Sequence, residues 1–208
     1  MATRVHNQDQ MLGLAIPTFV NLPYEQLSLQ GVADSCGVSL WSLRYHFHNV
    51  ERLFRAVASR LIDEVVARSA FEPEPGKPVL EAIGAHASFV ADLVCSDAYR
   101  NLVWFVLRNG RHHPWLENAY DRRIVARICA DLESIVLRSG ESHGVTILLA
   151  AGAARRFHKR IETELVLASL LPAPADAPPP DRDEVAKAAA HEAFAATYVF
   201  DWKVPTAA

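Results

Sequence analysis

The chain has 208 residues, half of them hydrophobic and 22% charged, a composition that excludes a wholly disordered polymer and leaves enough apolar surface for a sizeable core. Its 21 lysines and arginines stand against 24 aspartates and glutamates, a nearly balanced total of −3. A length of this order suits one helical domain, or a small head followed by a larger body.

The first periodic stretch, residues 8 to 21, predicts a helix with Leu12, Ala15, Ile16 and Phe19 on one face. Pro17 falls inside it and is expected to kink it, since its ring meets the carbonyl of Gly13 and removes one hydrogen bond. From Ser28 to Phe47 the chain predicts two short helices joined by a tight turn. Ser28 caps the first, whose inward positions are Leu29, Val32 and Ala33, and Gly37 supplies the left-handed residue that ends it. Ser39 caps the second, with Val38, Leu43 and Phe47 inward and Leu40, Trp41, Arg44, Tyr45 and His48 outward. A longer helix from Val50 to Ser69 repeats Leu53, Val57, Leu61 and Val65, with Arg52, Arg55 and Arg60 largely outward.

The run EPEPGKP, residues 72 to 78, is the clearest break and puts a boundary near residue 75. Beyond it, Val79 to Ser96 carries Leu80, Ile83, His86, Val90 and Leu93 on one face. Tyr99 to Leu107 is apolar nearly all round, as in a helix buried on every side. Asn109-Gly110 ends that helix, and Pro114 opens another whose stripe is Leu116, Tyr120, Ile124, Ile128, Leu132 and Ile135, closed at Gly140. A long helix is expected from Ser142 to Leu171, then a stiff proline-rich spacer from Pro172 to Pro180, then a last helix from Asp183 to about Phe200. The fold class is therefore all-α, and no internal repeat is visible.

The pair of short helices resembles the helix-turn-helix of the TetR family of bacterial transcriptional regulators, with Val32-Ala33, Gly37-Val38-Ser39, Leu43, His46-Phe47 and Leu53 at family positions. The resemblance covers residues 8 to about 55 and implies a DNA-binding domain over 1–55, a connecting helix and linker over 50–75, and a ligand-binding and dimerisation domain over 76–208. It implies that the helix Ser39 to Phe47 enters the major groove of double-stranded DNA. Ser28, Ser39, Tyr45 and His46 then face phosphates with Ser42 beside them, Arg44 pairs with guanine, and Gln30 pairs with adenine. Leu40 and Trp41 offer apolar contact to thymine methyls, unless Trp41 packs instead on the head's own first helix. Tyr24 takes the place of the family aromatic that meets the recognition helix, with Pro23 replacing its glycine. Val50 replaces the family's phosphate-binding lysine, and residues 1 to 70 hold six arginines, no lysine and six carboxylates. Weak affinity and a shallow salt dependence are expected of so neutral a head.

A homodimer is implied by the same resemblance, through the helices 142 to 171 and 183 to 200. Their small residues Ala150, Ala151, Gly152, Ala154, Ala186, Ala189, Ala190 and Ala193 suit close backbone approach, across the two-fold axis or, in the other reading, within one chain. A hydrophobic or aromatic effector is expected in the body against Phe89, Trp104, Phe105, Trp115, Tyr120 and Phe157, oriented by His86, His113 and the Tyr120 hydroxyl. A solid aromatic core is the other reading of the same rings. No metal or other cofactor is expected, because none of the nine histidines sits at a diagnostic spacing, and the absence of a nucleophile elbow or phosphate loop argues against an enzyme. Cys36, Cys95 and Cys129 lie far apart, which fits a reducing cytoplasm. The chain starts without a signal-like apolar run and has no stretch of about 18 apolar residues, so a soluble protein without a membrane partner is expected. The alternative function is a helical binding or interaction protein of the same fold without specific DNA recognition.

Overall fold

The computed structural model describes residues 7–140, 147–167, 170 and 178–198. Every regular element among the described residues is helical, so the fold is all-α. Two compact units form, Met1–Val65 with Asn101–Tyr120, and Val66–Arg100 with Asp121–Ala208.

In the first unit, α1 (Gln8–Asn21) starts at a capping box in which the Asn7 side chain accepts from the Gln10 backbone at 2.8 Å while the Asn7 backbone donates to Gln10 Oε1 at 3.2 Å. The helix continues through Pro17 to Asn21. Next, α2 (Leu29–Cys36) and α3 (Leu40–Phe47) begin where the two serines place them: Ser28 Oγ accepts from Gly31 at 3.0 Å and Ser39 Oγ from Ser42 at 3.0 Å. Gly37 adopts φ 65° and ends α2, as the left-handed position between the helices demands. Then α4 (Val50–Arg68) is capped by Asn49, whose side chain accepts from the Arg52 backbone at 2.9 Å.

The core of this unit centres on Phe54 of α4, fully buried and one position off the expected stripe. Its ring lies 6.2 Å from Phe19, 5.0 Å from Tyr24, 5.0 Å from Phe105 and 4.7 Å from His113. Tyr24 therefore packs on Phe54 and, at 4.6 Å, on His113. The later segment of the unit comprises the end of α6 (Asp97–Asn109) and α7 (Pro114–Tyr120). Asn109, buried, receives the Tyr24 backbone N–H at 3.3 Å and donates to the Phe105 carbonyl at 2.9 Å, while Arg108 donates to the Val20 carbonyl at 2.9 Å. Those two bonds serve backbone groups at the end of α1 and just beyond it, where helical partners run out.

The second unit holds α5 (Val79–Cys95), α8 (Ala126–Gly140), α9 (Ile147–Glu162) and α10 (Arg182–Tyr198). The expected helix start at Ser142, the end at Leu171, the spacer from 172 to 177 and the final turn at Phe200 lie outside the described residues. Wide π-helical turns cover Asp121–Val125, leading into α8, and Thr163–Leu167, following α9. Ala186, Ala189, Ala190 and Ala193 are buried within the protomer, where α10 packs on α5 and α9, and Ala150 and Ala154 are buried too. These alanines close the seams of a single chain, which favours the second of their two readings over a contact between two chains. Tyr99 joins α6 to α9: its hydroxyl donates to Glu162 at 3.0 Å and lies 3.1 Å from His158 Nε2.

Among the described residues one non-glycine backbone position has a positive φ and is strained. His48, just past α3, adopts φ 64° and ψ −49°, and Asn49 N–H donates back to the Phe47 carbonyl at 2.7 Å. This is a three-residue γ-turn of the sign that side chains disfavour. His48→Gly is expected to raise the free energy of unfolding by about 1 kcal/mol, the strain relieved exceeding glycine's unfolded-state entropy. The midpoint of urea unfolding checks this, and His48→Ala, which keeps a Cβ, is expected to show no gain.

Candidate nucleic-acid interface

The capped turn fixes which face of α3 points outward. Leu43 and Phe47 are buried on the inner side, and Val38 N–H closes the turn onto the Ala33 carbonyl at 3.0 Å. Thr18 and Ser35 share a hydroxyl bond of 2.9 Å and Cys36 Sγ donates to the Leu14 carbonyl at 3.3 Å, which ties α2 to α1. Outward stand Trp41, 73% exposed, Tyr45, 66% exposed, and Arg44, also exposed. The indole and phenol rings stack at 5.5 Å with planes 14° apart, and the His46 ring meets Tyr45 edge-on at 5.1 Å. So exposed an indole is not packed on α1, which removes the alternative placement of Trp41.

Several polar groups expected at the interface already have partners. Ser28 and Ser39 serve as caps, the Ser39 and Ser42 hydroxyls bond each other at 2.7 Å, and Gln30 donates to Asp34 at 2.8 Å. Leu40 and His46 are half-buried. Charge is likewise partly cancelled: Arg55 pairs with Glu51 at 2.7 Å and Arg60 with Asp9. Arg44 and Arg52 have no side-chain partner among the described residues, which leaves two uncompensated cations on α3 and the start of α4. Arg52 was not among the residues expected at the interface. Its place one turn after the Asn49 cap was the available signal.

The residues expected to hold an effector fall into two groups. In the first unit, Phe105, His113 and Trp115 surround Phe54, with Arg55 over the Trp115 ring at 4.5 Å. Trp104 lies under Arg108 at 4.8 Å, and Tyr120 is half-buried. His113 Nε2 and Trp115 Nε1 are buried without a hydrogen-bond partner. In the second unit, His86 is fully buried among Phe71 at 4.7 Å, Phe157 at 5.6 Å and Phe89 at 6.3 Å. Phe71 was missed, because it sits in the break after α4 where no periodicity marks it. His86 Nε2 lies 3.2 Å from the Ile128 carbonyl, so it carries the proton and donates, while Nδ1 has no partner. Two surface grooves of the second unit, about 260 Å³ between α5 and α10 and about 180 Å³ beside residues 73–77, are lined by none of the expected effector residues.

Among the described residues no cluster of three or more His, Cys, Asp or Glu side chains is placed to hold a metal ion, and no single helix is long and apolar enough to cross a membrane. Burial pushes the Cys129 thiol up to about 11.

A capped helix-turn-helix with a solvent-facing second helix, carried on an all-helical chain, defines a helix-turn-helix class of fold. The particular fold is that of TetR-family transcriptional regulators. A TetR transcriptional regulator from Agrobacterium tumefaciens matches at 21% identity and TM-score 0.67, over 91% of this chain and 93% of that one. A TetR-family regulator from Pseudomonas syringae pv. tomato matches at 16% identity and TM-score 0.68, over 92% and 96%. A transcriptional regulator from a Rhodococcus species matches at 18% and 0.66, over 92% and 98%. No protein-family model and no curated protein matches the chain.

Burial lowers the His86 pKa to about 4, with His158 nearby adding to the effect and the bond to Ile128 opposing it. In the unfolded chain the same ring titrates near its ordinary value, so the unfolded state takes up the proton first as pH falls, and folding stability present above about pH 6.5 is lost on the way down. Between about pH 7 and about pH 4.5 His86 alone is expected to remove about 2 to 3 kcal/mol. Urea unfolding at both pH values checks this. The difference between them is expected to shrink by that amount in His86→Gln, whatever the variant's absolute stability.

Proposed function

We propose that the chain is a ligand-responsive transcriptional regulator that binds double-stranded DNA through α3, acting in the cytoplasm, without enzymatic activity, and as a two-fold homodimer. The observation that carries this reading is the outward face of α3, where Arg44 and the stacked Trp41 and Tyr45 project from a helix whose inner side is fully anchored. Such a helix fits the major groove, and the likeness to TetR-family regulators supports the same use. Arg44 is the residue assigned to guanine. Tyr45 and His46 are assigned to phosphates, with the Ser28, Ser39 and Ser42 hydroxyls beside them, and Gln30 reaches a base only by leaving Asp34. The effector is a hydrophobic or aromatic small molecule, a class that the buried ring clusters around His86 and Phe54 support.

A second reading, an interaction protein of this fold without sequence-specific DNA binding, is favoured by one observation: six arginines and six carboxylates cancel over residues 1 to 70. Gel shift against a duplex selected from a random pool separates the two. The regulator is expected to bind and to weaken with added salt, and Arg44→Ala to cost about 1 to 3 kcal/mol while relaxing preference at one base pair. An Arg44→Ala variant with unchanged affinity and base preference would falsify this docking.

The homodimer is assigned to the outward faces of α9 and α10, since their inward alanines are already packed. Leu149, 40% exposed, and Ala195, also exposed, are the positions to probe. Light scattering on Leu149→Glu combined with Ala195→Glu is expected to read the mass of one chain in place of two. A persisting dimer places the contact elsewhere.

A further inference from the structure

The outward face of α3 offers unusual chemistry for reading bases. Its small polar groups Ser39 and Ser42 are bonded to each other, and Gln30 on the neighbouring α2 is bonded to Asp34. What remains outward is one guanidinium, Arg44, and a flat apolar slab made by Trp41 stacked on Tyr45. Residues three and four apart share a helix face, so slab and cation address neighbouring base pairs. In the major groove the apolar feature that a base edge presents is the C5 methyl of thymine. The uncompensated charges of Arg44 and Arg52 suit the polyanionic duplex that brings this methyl to the slab.

Resting on the regulator reading, we infer that Trp41, backed by Tyr45, senses a C5-methyl group in the operator, and therefore accepts 5-methylcytosine as well as thymine at that position. Recognition of this kind depends on the methyl itself, because an indole face has no N–H to donate to O4 and offers an exocyclic amine only a weak π contact. Binding then responds to cytosine methylation at the position read. Tyr45 acts as a positioning residue for Trp41. Its ring stacks on the indole at 5.5 Å, and the indole stays 73% exposed.

The test uses the full-length chain and an operator selected from a random duplex pool. Each thymine of one half-site is replaced in turn by deoxyuridine, which removes only the methyl. At the position where this weakens binding, cytosine and 5-methylcytosine opposite guanine are then compared. Thymine is expected to exceed deoxyuridine by about three- to tenfold, and 5-methylcytosine to exceed cytosine by a similar factor, the yield of burying one methyl group. Both ratios are expected to fall to about one in Trp41→Ala, whose surface position leaves helicity by circular dichroism unchanged. Tyr45→Ala is expected to reduce the ratios less, and Tyr45→Phe to preserve them. Equal binding of methylated and unmethylated bases at every position overturns the inference and leaves the regulator reading standing. So does a methyl preference that survives in Trp41→Ala, whereas a Trp41-dependent preference for single strands over the duplex overturns both. A pool that yields no enriched duplex overturns both.

Discussion

Phe54 is the contact on which the core of the first unit depends. It lies in α4, yet its ring touches Phe19 from α1, Tyr24 from the following turn, and Phe105, His113 and Trp115 from much later in the chain. Each aromatic pair contributes roughly 0.5 to 1.5 kcal/mol beyond simple burial, so the set outweighs any one helix cap at about 1 kcal/mol. The caps decide where α2 and α3 begin, and the Phe54 cluster joins α4 to α1, to the turn at Tyr24 and to the segment 105–115. Asn109 and Arg108 add direction to this adhesion, because their bonds to Tyr24 and Val20 require a fixed backbone geometry where the cluster requires only proximity.

Charge plays a more local part. Arg55 with Glu51 and Arg60 with Asp9 are exposed pairs, which contribute little to stability. Their effect is on the shape of the potential. By cancelling cations along α4 they leave Arg44 and Arg52 as the positive points near α3, so a formally neutral head still carries an oriented field.

How much of this was legible in the sequence follows from the range of the interactions. Ser28, Gly37 and Ser39 act within three or four residues of themselves, and the helix bounds they mark are those observed. The family fold was legible for the same reason, since its motif is a string of local signals. Side-chain commitments were not. Nothing in the linear chain says that Gln30 spends its amide on Asp34, or that Ser42 spends its hydroxyl on Ser39, although each partner is a helical turn away. The exposure of Trp41 was undecidable, because an indole suits either a core or a surface, and the inner side of α3 proved already filled by Leu43 and Phe47. Long-range grouping was hidden altogether. That residues 101–120 cluster with residues 1–65 rests on contacts such as Phe54 to Phe105, and the eight aromatic and histidine residues expected around an effector divide between the two units for the same reason. The alanines of α10 were legible as close-packing residues. Composition could not say that their neighbours belong to the same chain.

The placement of the tryptophans has an optical consequence. Trp104 and Trp115 each lie beneath a guanidinium group, at 4.8 and 4.5 Å, while Trp41 faces water with only a phenol ring against it. An indole in water emits at longer wavelength than one shielded by protein, and one lying against a tyrosine ring collects excitation from it. Among the three tryptophans of the described residues Trp41 is therefore the one that emits furthest to the red, and the surface assigned to DNA carries its own unlabelled fluorophore.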